Sequence, residues 1–193
     1  LNPNAPVTKG TAQNSDVYFQ NREACNTYYD AVPDIVARYM GEVSELTGRH
    51  YLPFDYYGNP DAENIIIAMG SVTETIKETI DHLNAKGERA GVIIVRLYRP
   101  FSAKYFARVI PASAKKIAVL DRTKEPGAVG EPLYTDIKAA IAELGLNIKV
   151  VGGRYGLSPK DTSPAQIISV FDNLKEKKKK NDFTIGIVDD VTF

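Results

Sequence analysis

The stretch Asn64-Ile-Ile-Ile-Ala-Met69 decides the fold of this chain, because it is a short apolar run rich in β-branched residues. Such a run predicts a strand that is buried on both faces, as in a parallel sheet. A helical pattern follows it directly and closes at Gly87, a residue type that favours the end of a helix. The apolar positions of this helix are Val72, Ile76, Ile80 and Leu83. A strand followed by a helix is the unit from which α/β domains are built.

The same unit recurs along the chain. Further strands are predicted at 91–97, 116–120 and 148–151, each followed by a helical pattern. Two helix starts carry the sequence of a capping box, Ser71-Val-Thr-Glu74 and Ser163-Pro-Ala-Gln166. Strand and helix therefore alternate four times between residues 64 and 175. This alternation predicts an α/β domain with a mostly parallel sheet, helices on both faces and right-handed crossovers.

The regions outside this core suggest how the chain is organised. Residues 1–20 are polar and turn-prone, which predicts an extended arm from a preceding domain. The domain proper is predicted over 21–175, and 176–193 as a charged linker followed by the start of a next domain. A helical stripe of apolar residues runs from Arg22 to Leu46, with a kink or restart predicted at Pro33. The chain begins with Leu rather than Met, so we expect a piece of a longer polypeptide.

Composition excludes several classes of function. The chain has 24 basic and 24 acidic residues, so nothing points to a nucleic acid or a membrane surface as partner. Cys25 is the single cysteine and only two histidines accompany it, which is too few for a Cys/His metal cluster. No apolar run is long enough to span a membrane, and no signal peptide is recognisable near Leu1. A reducing cytoplasm is the predicted location.

The most unusual stretch of the sequence comprises residues 121–131, which we call the 121–131 loop. It follows a predicted strand at the edge of the sheet where α/β proteins usually bind ligands. It mixes carboxylates and cations with two glycines, but no histidine or nucleophile accompanies them. We therefore favour an internally salt-bridged loop, or one docked on a neighbouring domain, over a catalytic one. The candidate interface residues are Arg122, Lys124, Glu125, Gly127, Gly130 and Glu131.

Other loops at that edge carry weaker signals. Gly70-Ser71 opens a helix, but it lacks both the three-glycine dinucleotide fingerprint and the phosphate-loop lysine. Gly152-Gly-Arg-Tyr-Gly156 could bring backbone close to a phosphate with the help of Arg154, although a structural turn is the simpler interpretation. From the residues alone, we predict no catalytic, cofactor-binding or metal-binding residue in this chain.

Asp121-Arg-Thr-Lys-Glu-Pro-Gly-Ala-Val-Gly-Glu-Pro-Leu-Tyr134 resembles a segment of the pyruvate:ferredoxin (flavodoxin) oxidoreductases. Other stretches agree with the family in the same order, so that the resemblance covers essentially the whole chain. They include Lys9-Gly-Thr-Ala-Gln-Asn14, Val95-Arg-Leu-Tyr-Arg-Pro-Phe101, Gly153-Arg-Tyr-Gly-Leu-Ser158 and Phe183-Thr-Ile-Gly-Ile-Val-Asp-Asp-Val-Thr192. Lys9 departs from the pattern, since an arginine is expected there.

The resemblance implies the second domain of such an enzyme, which is similar to the C-terminal domain of transketolase, a three-layer Rossmann-like fold. The family's enzymes are cytoplasmic, and their parent chain is expected to form a homodimer. They decarboxylate pyruvate oxidatively to acetyl-CoA and pass electrons to ferredoxin or flavodoxin. Their cofactors are thiamine diphosphate, Mg and iron–sulfur clusters, with coenzyme A as substrate. The resemblance places these groups on other domains, so it implies a structural and docking role here, inactive in isolation.

Two classes of function remain open from the sequence. The first is this docking domain of a pyruvate oxidoreductase, whose partners are the other domains of the same polypeptide. The second is a free-standing flavodoxin-like nucleotide-binding module. That module should have a Ser/Thr-rich phosphate loop after its first strand, and Gly70-Ser71 is a poor version of one.

Overall fold

A computed structural model describes residues 3–6 and 12–188 of the chain. Within these residues the strands are β1 (Phe54–Gly58), β2 (Asn64–Ala68), β3 (Ala90–Val95), β4 (Lys116–Asp121), β5 (Lys149–Arg154) and β6 (Phe183–Thr184). The helices are α1 (Ser15–Ala24), α2 (Asn26–Thr47), α3 (Val72–Ala85), α4 (Ala103–Ala107), α5 (Pro132–Glu143) and α6 (Pro164–Lys175). The four predicted strand–helix units are thus present, with boundaries shifted by one to three residues.

The strands form one sheet in the order β1-β3-β2-β4-β5-β6. All neighbours pair in parallel except β1, which is antiparallel to β3. The predicted mostly parallel α/β fold is therefore confirmed. The sequence did not reveal β1, since its residues Phe-Asp-Tyr-Tyr-Gly mix polar and aromatic side chains at the edge of the sheet. The carboxyl ends of β2, β3, β4 and β5 meet at one edge, where the candidate site lies.

The alternation of side chains along the central strands builds a core on each face of the sheet. On β2, Ile66 and Ala68 face the core that α3 and α6 cover. Ile65 and Ile67 face the opposite core, which α4 and α5 cover. All four side chains are fully buried. Because both faces are covered, the strand is apolar throughout, as its sequence predicted.

The N-terminal region differs from the predicted extended arm. Helix α1 begins at Ser15, so residues 15–20 are helical, while residues 1, 2 and 7–11 of the arm lie outside the described residues. Cys25 separates α1 from α2, and its thiol donates to the carbonyl of Arg22 at 2.7 Å. Helix α2 continues through Pro33 and ends at Gly48, whose φ of 67° is typical of a helix C-cap. The predicted end is confirmed, and the restart lies at Cys25 rather than at Pro33.

The two predicted capping boxes had different outcomes. Ser163 is extended, its hydroxyl accepts from the amide of Gln166, and the Gln166 side chain accepts from the amide of Ser163, so that capping box is confirmed. Ser71 makes no capping hydrogen bond, so the first box was wrong. Ser71 has helical dihedral angles, φ −63° and ψ −25°, whereas a residue that caps a helix start is typically extended.

The predicted charged linker is held to the domain at Lys180. The side chain of Asn173 on α6 bonds both backbone groups of Lys180. Beyond it, Phe183–Thr184 adds β6 to the edge of the sheet. The start of the segment predicted for a next domain therefore pairs with this one over two residues.

Candidate functional site

Asp121 is the last residue of β4 and organises the start of α5. Its carboxylate accepts hydrogen bonds from the backbone amides of Leu133 at 2.9 Å and Tyr134 at 3.1 Å. These are amides of the first helical turn, which have no partner within the helix. Burial raises the pKa of Asp121, and the two amide donors only partly oppose this effect. The buried carboxylate thus joins the end of a strand to the start of a helix.

Glu131 closes the 121–131 loop from inside. It is buried, and its Oε2 accepts from the backbone amide of Glu125 at 2.7 Å. Its Oε1 lies 3.1 Å from Nη1 of Arg154 and 4.0 Å from Nζ of Lys124. One carboxylate therefore holds the middle of the loop, through Glu125, to the end of β5, through Arg154.

Arg154, the last residue of β5, is the centre of the charge network. It is buried, and its guanidinium contacts the carboxylates of Glu131 and Asp182. The same guanidinium donates to the carbonyl of Asp182 and, at 3.0 Å, to the hydroxyl of Thr184. Burial lowers the pKa of Arg154, but the two carboxylates more than offset this, so that the pKa is raised overall. The guanidinium thus donates four hydrogen bonds to other residues of this chain.

Glycines allow close packing around this network. A Cβ on Gly153 would lie 2.3 Å from the ring of Phe183, and one on Gly152 would lie 2.9 Å from the ring of Tyr134. The amide of Gly152 donates to the Asn181 side chain at 2.8 Å. These glycines therefore make room for aromatic rings and not for a phosphate. The cavity beside Arg154 measures about 10 Å³, room for about one water molecule.

The outer part of the loop has a different character. Arg122 anchors one side by donating from Nε to the carbonyl of Gly156 at 2.8 Å. The chain then turns at Gly127, with φ +82°, where Ala128 donates to the carbonyl of Glu125. Val129 is 92% exposed at this tip. The loop is thus fixed at its base and presents an apolar side chain to solvent.

A second group of polar side chains lies at the same edge, after β3. Arg99 lies 2.6 Å from the carboxylate of Asp136 on α5, and its guanidinium stacks 4.1 Å from the ring centre of Tyr98. Burial, with the nearby carboxylate of Asp136, raises the pKa of Tyr98 to about 12. The phenol stays protonated near neutral pH, and the group connects the β3 loop to α5.

Comparison with known proteins shows which protein family the chain matches. Residues 62–167, more than half of its length, match the family described as pyruvate:ferredoxin oxidoreductase core domain II. The chain belongs to this family. The match begins just before β2 and ends at residue 167, so it covers β2 to β5, the three helices between these strands and the first turn of α6.

The relatives of this domain II chain are much longer proteins. It is 60% identical over 192 residues to the pyruvate:ferredoxin oxidoreductase of Moorella thermoacetica, and 58% identical over 193 residues to the pyruvate-flavodoxin oxidoreductase of Enterobacter agglomerans. Each alignment covers 100% of this chain but 16% of the relative. The chain thus spans about one sixth of the length of the curated relatives it matches.

A solved structure also resembles the domain. It is the 2-oxoglutarate:ferredoxin oxidoreductase from Magnetococcus marinus with 2-oxoglutarate, coenzyme A and succinyl-CoA bound. The similarity covers 69% of this chain and 21% of that chain, with 18% sequence identity and a TM-score of 0.46.

The predicted interface residues occupy two environments in domain II. Gly130 and Glu131 face inward, where Gly130 packs on the ring of Tyr134. The other four lie on the exposed outer loop, namely Arg122, Lys124, Glu125 and Gly127. Within the loop, Lys124 and Glu131 form an ion pair at 4.0 Å, whereas the shorter ion pair of Glu131 is with Arg154, outside the loop. Sequence reasoning missed Asp182 and Thr184 as partners of Arg154, since their pairing depends on β6 joining the sheet.

The residues of domain II do not provide the ligands of an iron–sulfur cluster, one of the cofactors that the resemblance implies for the parent enzyme. Iron–sulfur clusters need several thiolates, whereas Cys25 is the single cysteine of the chain. In the described ranges, no group of three or more His, Cys, Asp or Glu side chains is placed to hold a metal ion. Among the helices of those ranges, none combines the length and the apolar composition needed to cross a membrane.

Proposed function

We propose that this chain is a structural and docking domain of a pyruvate:ferredoxin or pyruvate-flavodoxin oxidoreductase. The observation that carries the proposal is identity of 50–60% to enzymes of these names over the whole chain, together with the one-sixth share of their length. In the proposed parent enzyme, pyruvate and coenzyme A give acetyl-CoA and carbon dioxide. The two electrons released pass to ferredoxin or flavodoxin.

The chemistry of this reaction belongs to other parts of the polypeptide in our proposal. Thiamine diphosphate, Mg and the iron–sulfur clusters would be held by domains outside these 193 residues, which would also bind coenzyme A. The support is the donor set described above, which offers neither cluster thiolates nor a metal-binding carboxylate group in the described ranges. The domain would be inactive in isolation, and the parent enzyme would be a cytoplasmic homodimer.

The domain limits are part of the proposal. Residues 1–20 would connect from a preceding domain, and 21–175 would be the domain itself. Residues 176–193 would lead to the next domain. Because β6 pairs with β5, the connection would leave from the edge of this sheet after Thr184.

The outer part of the 121–131 loop would be one contact with the rest of the enzyme. Its base is fixed by Arg122, Glu125 and Glu131, so its shape is set before any partner arrives. Lys124 and Glu125 provide charges of both signs, which suits pairing with a polar surface. Val129 would supply the apolar contact, since a 92% exposed valine contributes nothing to this domain's own core.

A free-standing flavodoxin-like nucleotide-binding module is the weaker alternative. It needs space for a phosphate and a ring at the carboxyl edge of the sheet. The cavity there admits about one water, and Arg154 is already paired. No observation favours this alternative.

The proposal is tested by pyruvate-dependent reduction of ferredoxin or flavodoxin, with coenzyme A present. The full-length enzyme should catalyse it, and the 193-residue chain, folded and incubated with the same cofactors, should give no more than the buffer rate. Activity of the chain alone would contradict the docking role. A full-length enzyme that accepts another 2-oxoacid and not pyruvate would contradict the proposed substrate.

A further inference from the structure

Helix α2 carries two apolar stripes, although one stripe is enough to pack a helix on a domain. The inner stripe faces the domain and includes the buried Pro33 with the half-buried Val36 and Met40. Asp34 fixes the helix, because its carboxylate accepts from Lys104 and from the Tyr105 hydroxyl, both at 2.7 Å. On a surface helix, the face that points away from such a contact normally carries polar residues.

The outer stripe of α2 is also apolar, and we call it the α2 seam. Its members are Tyr28, Val32, Ile35, Tyr39 and Leu46. Tyr28 is 76% exposed, Tyr39 54% and Leu46 86%. Single exposed apolar side chains are common on a protein surface, whereas a continuous row of large ones marks an interaction site.

The spacing of the seam indicates what kind of partner it fits. Successive members are separated by four, three, four and seven residues, the spacing by which two helices pack along a shared seam. The position that would complete the repeat is Glu42, whose ion pair with Arg38 is long, at 3.9 Å. From Tyr28 to Leu46 the seam extends for about 27 Å along the helix.

A groove lies beside the seam. It has a volume of about 320 Å³ and is lined by Val36, Tyr39, Met40, Val43 and Tyr51. Such an apolar groove fits a large apolar side chain from a packed helix.

We propose that the α2 seam is the docking surface for an amphipathic helix from the same enzyme polypeptide, outside these 193 residues. That helix would place apolar side chains along the seam, one of them in the groove, and a Lys or Arg opposite Glu42. This inference rests on the proposed function, because it needs the remaining five sixths of the polypeptide that the relatives indicate. It concerns a surface remote in sequence from the 121–131 loop.

Photo-crosslinking in the full-length enzyme identifies the occupant. Benzoylphenylalanine replaces Tyr39 in one variant and Tyr57, an edge-strand tyrosine that is 36% exposed, in the control. The Tyr39 variant should cross-link to a helical segment of the same polypeptide beyond residues 1–193, and the Tyr57 variant should not reach that segment. Cross-links from position 39 to α2 of a second copy, to a separate protein or to nothing would each overturn the proposal.

Hydroxyl-radical oxidation provides a second readout that needs no variant. In the native full-length enzyme, Tyr28 and Tyr39 should be oxidised several-fold more slowly than in the same enzyme unfolded in urea. Oxidation of Tyr28 at the rate expected for a side chain that is 76% exposed would overturn the seam as a covered surface. Both readouts are independent of turnover. A result that overturns the α2 seam is therefore distinguishable from a result of the pyruvate assay that overturns the proposed function.

Discussion

The carboxylate of Glu131 lies 3.1 Å from the guanidinium of Arg154, and this buried pair connects the 121–131 loop to the end of β5. Each partner holds a different segment, since Glu131 also binds the amide of Glu125 and Arg154 also binds Asp182. The pair therefore brings together three parts of the chain that are distant in sequence.

Removing one partner of this pair should destabilise the domain strongly. We expect Glu131→Ala to lower the free energy of unfolding by about 3 kcal/mol, because it leaves the buried Arg154 with one carboxylate fewer. Urea unfolding followed by circular dichroism measures the change. Lys124→Ala is the matched control and should cost about 0–1 kcal/mol, since its contact with Glu131 is long and half-exposed. Equal effects of the two substitutions would contradict the role given to Arg154.

The packing of β6 on Gly153 makes a second prediction. Gly153→Ala should destabilise by about 1–3 kcal/mol, because the new methyl group would overlap the ring of Phe183. Gly41→Ala in α2 is the control, since a Cβ there meets no atom within 4 Å. In a helix this change should stabilise by about 0.5–1 kcal/mol. Thermal unfolding of both variants checks the opposite signs, and a Gly153→Ala variant as stable as wild type would show that β6 does not pack as described.

The buried Asp121 predicts a pH dependence of stability. Its pKa is raised in the folded state, so between its unfolded and folded pKa values the folded chain binds more protons than the unfolded one. Its contribution to stability should therefore fall as pH rises from about 4, its unfolded pKa, through the raised value. The stability of wild type relative to Asp121→Asn should decrease across that range in urea unfolding at several pH values. A constant or increasing difference would contradict the raised pKa.

The core of the fold was predictable because β2, β3 and β4 consist mainly of consecutive apolar residues. Burial on both faces removes the need for polar positions, so a run such as Asn64–Ala68 is recognisable without its neighbours. β1 escaped prediction because it is an edge strand with mixed side chains. β6 is two residues long, and its place depends on pairing with a strand about thirty residues earlier.

The candidate site was predictable in position but not in detail. The charges and glycines of the 121–131 loop indicated an unusual segment, and its position after a predicted parallel strand placed it at the carboxyl edge of the sheet. The partners of Glu131 could not be read from the sequence, since Arg154 is 23 residues away and reaches it through sheet pairing. A capping-box sequence also does not ensure that the cap forms. Ser163 has an extended backbone and caps its helix, whereas Ser71 has a helical backbone and does not.

We propose that this domain docks on the rest of the enzyme through the exposed part of the 121–131 loop. Val129→Asp tests it most directly, because the side chain is 92% exposed and the change should alter the stability of the isolated domain by less than about 0.5 kcal/mol. Leu146→Asp, on an exposed position after α5, is the control. The measurement is pyruvate-dependent electron transfer by the full-length enzyme. We expect a several-fold loss of activity for Val129→Asp and little change for Leu146→Asp. Unchanged activity of Val129→Asp, with the full-length enzyme intact, would contradict it.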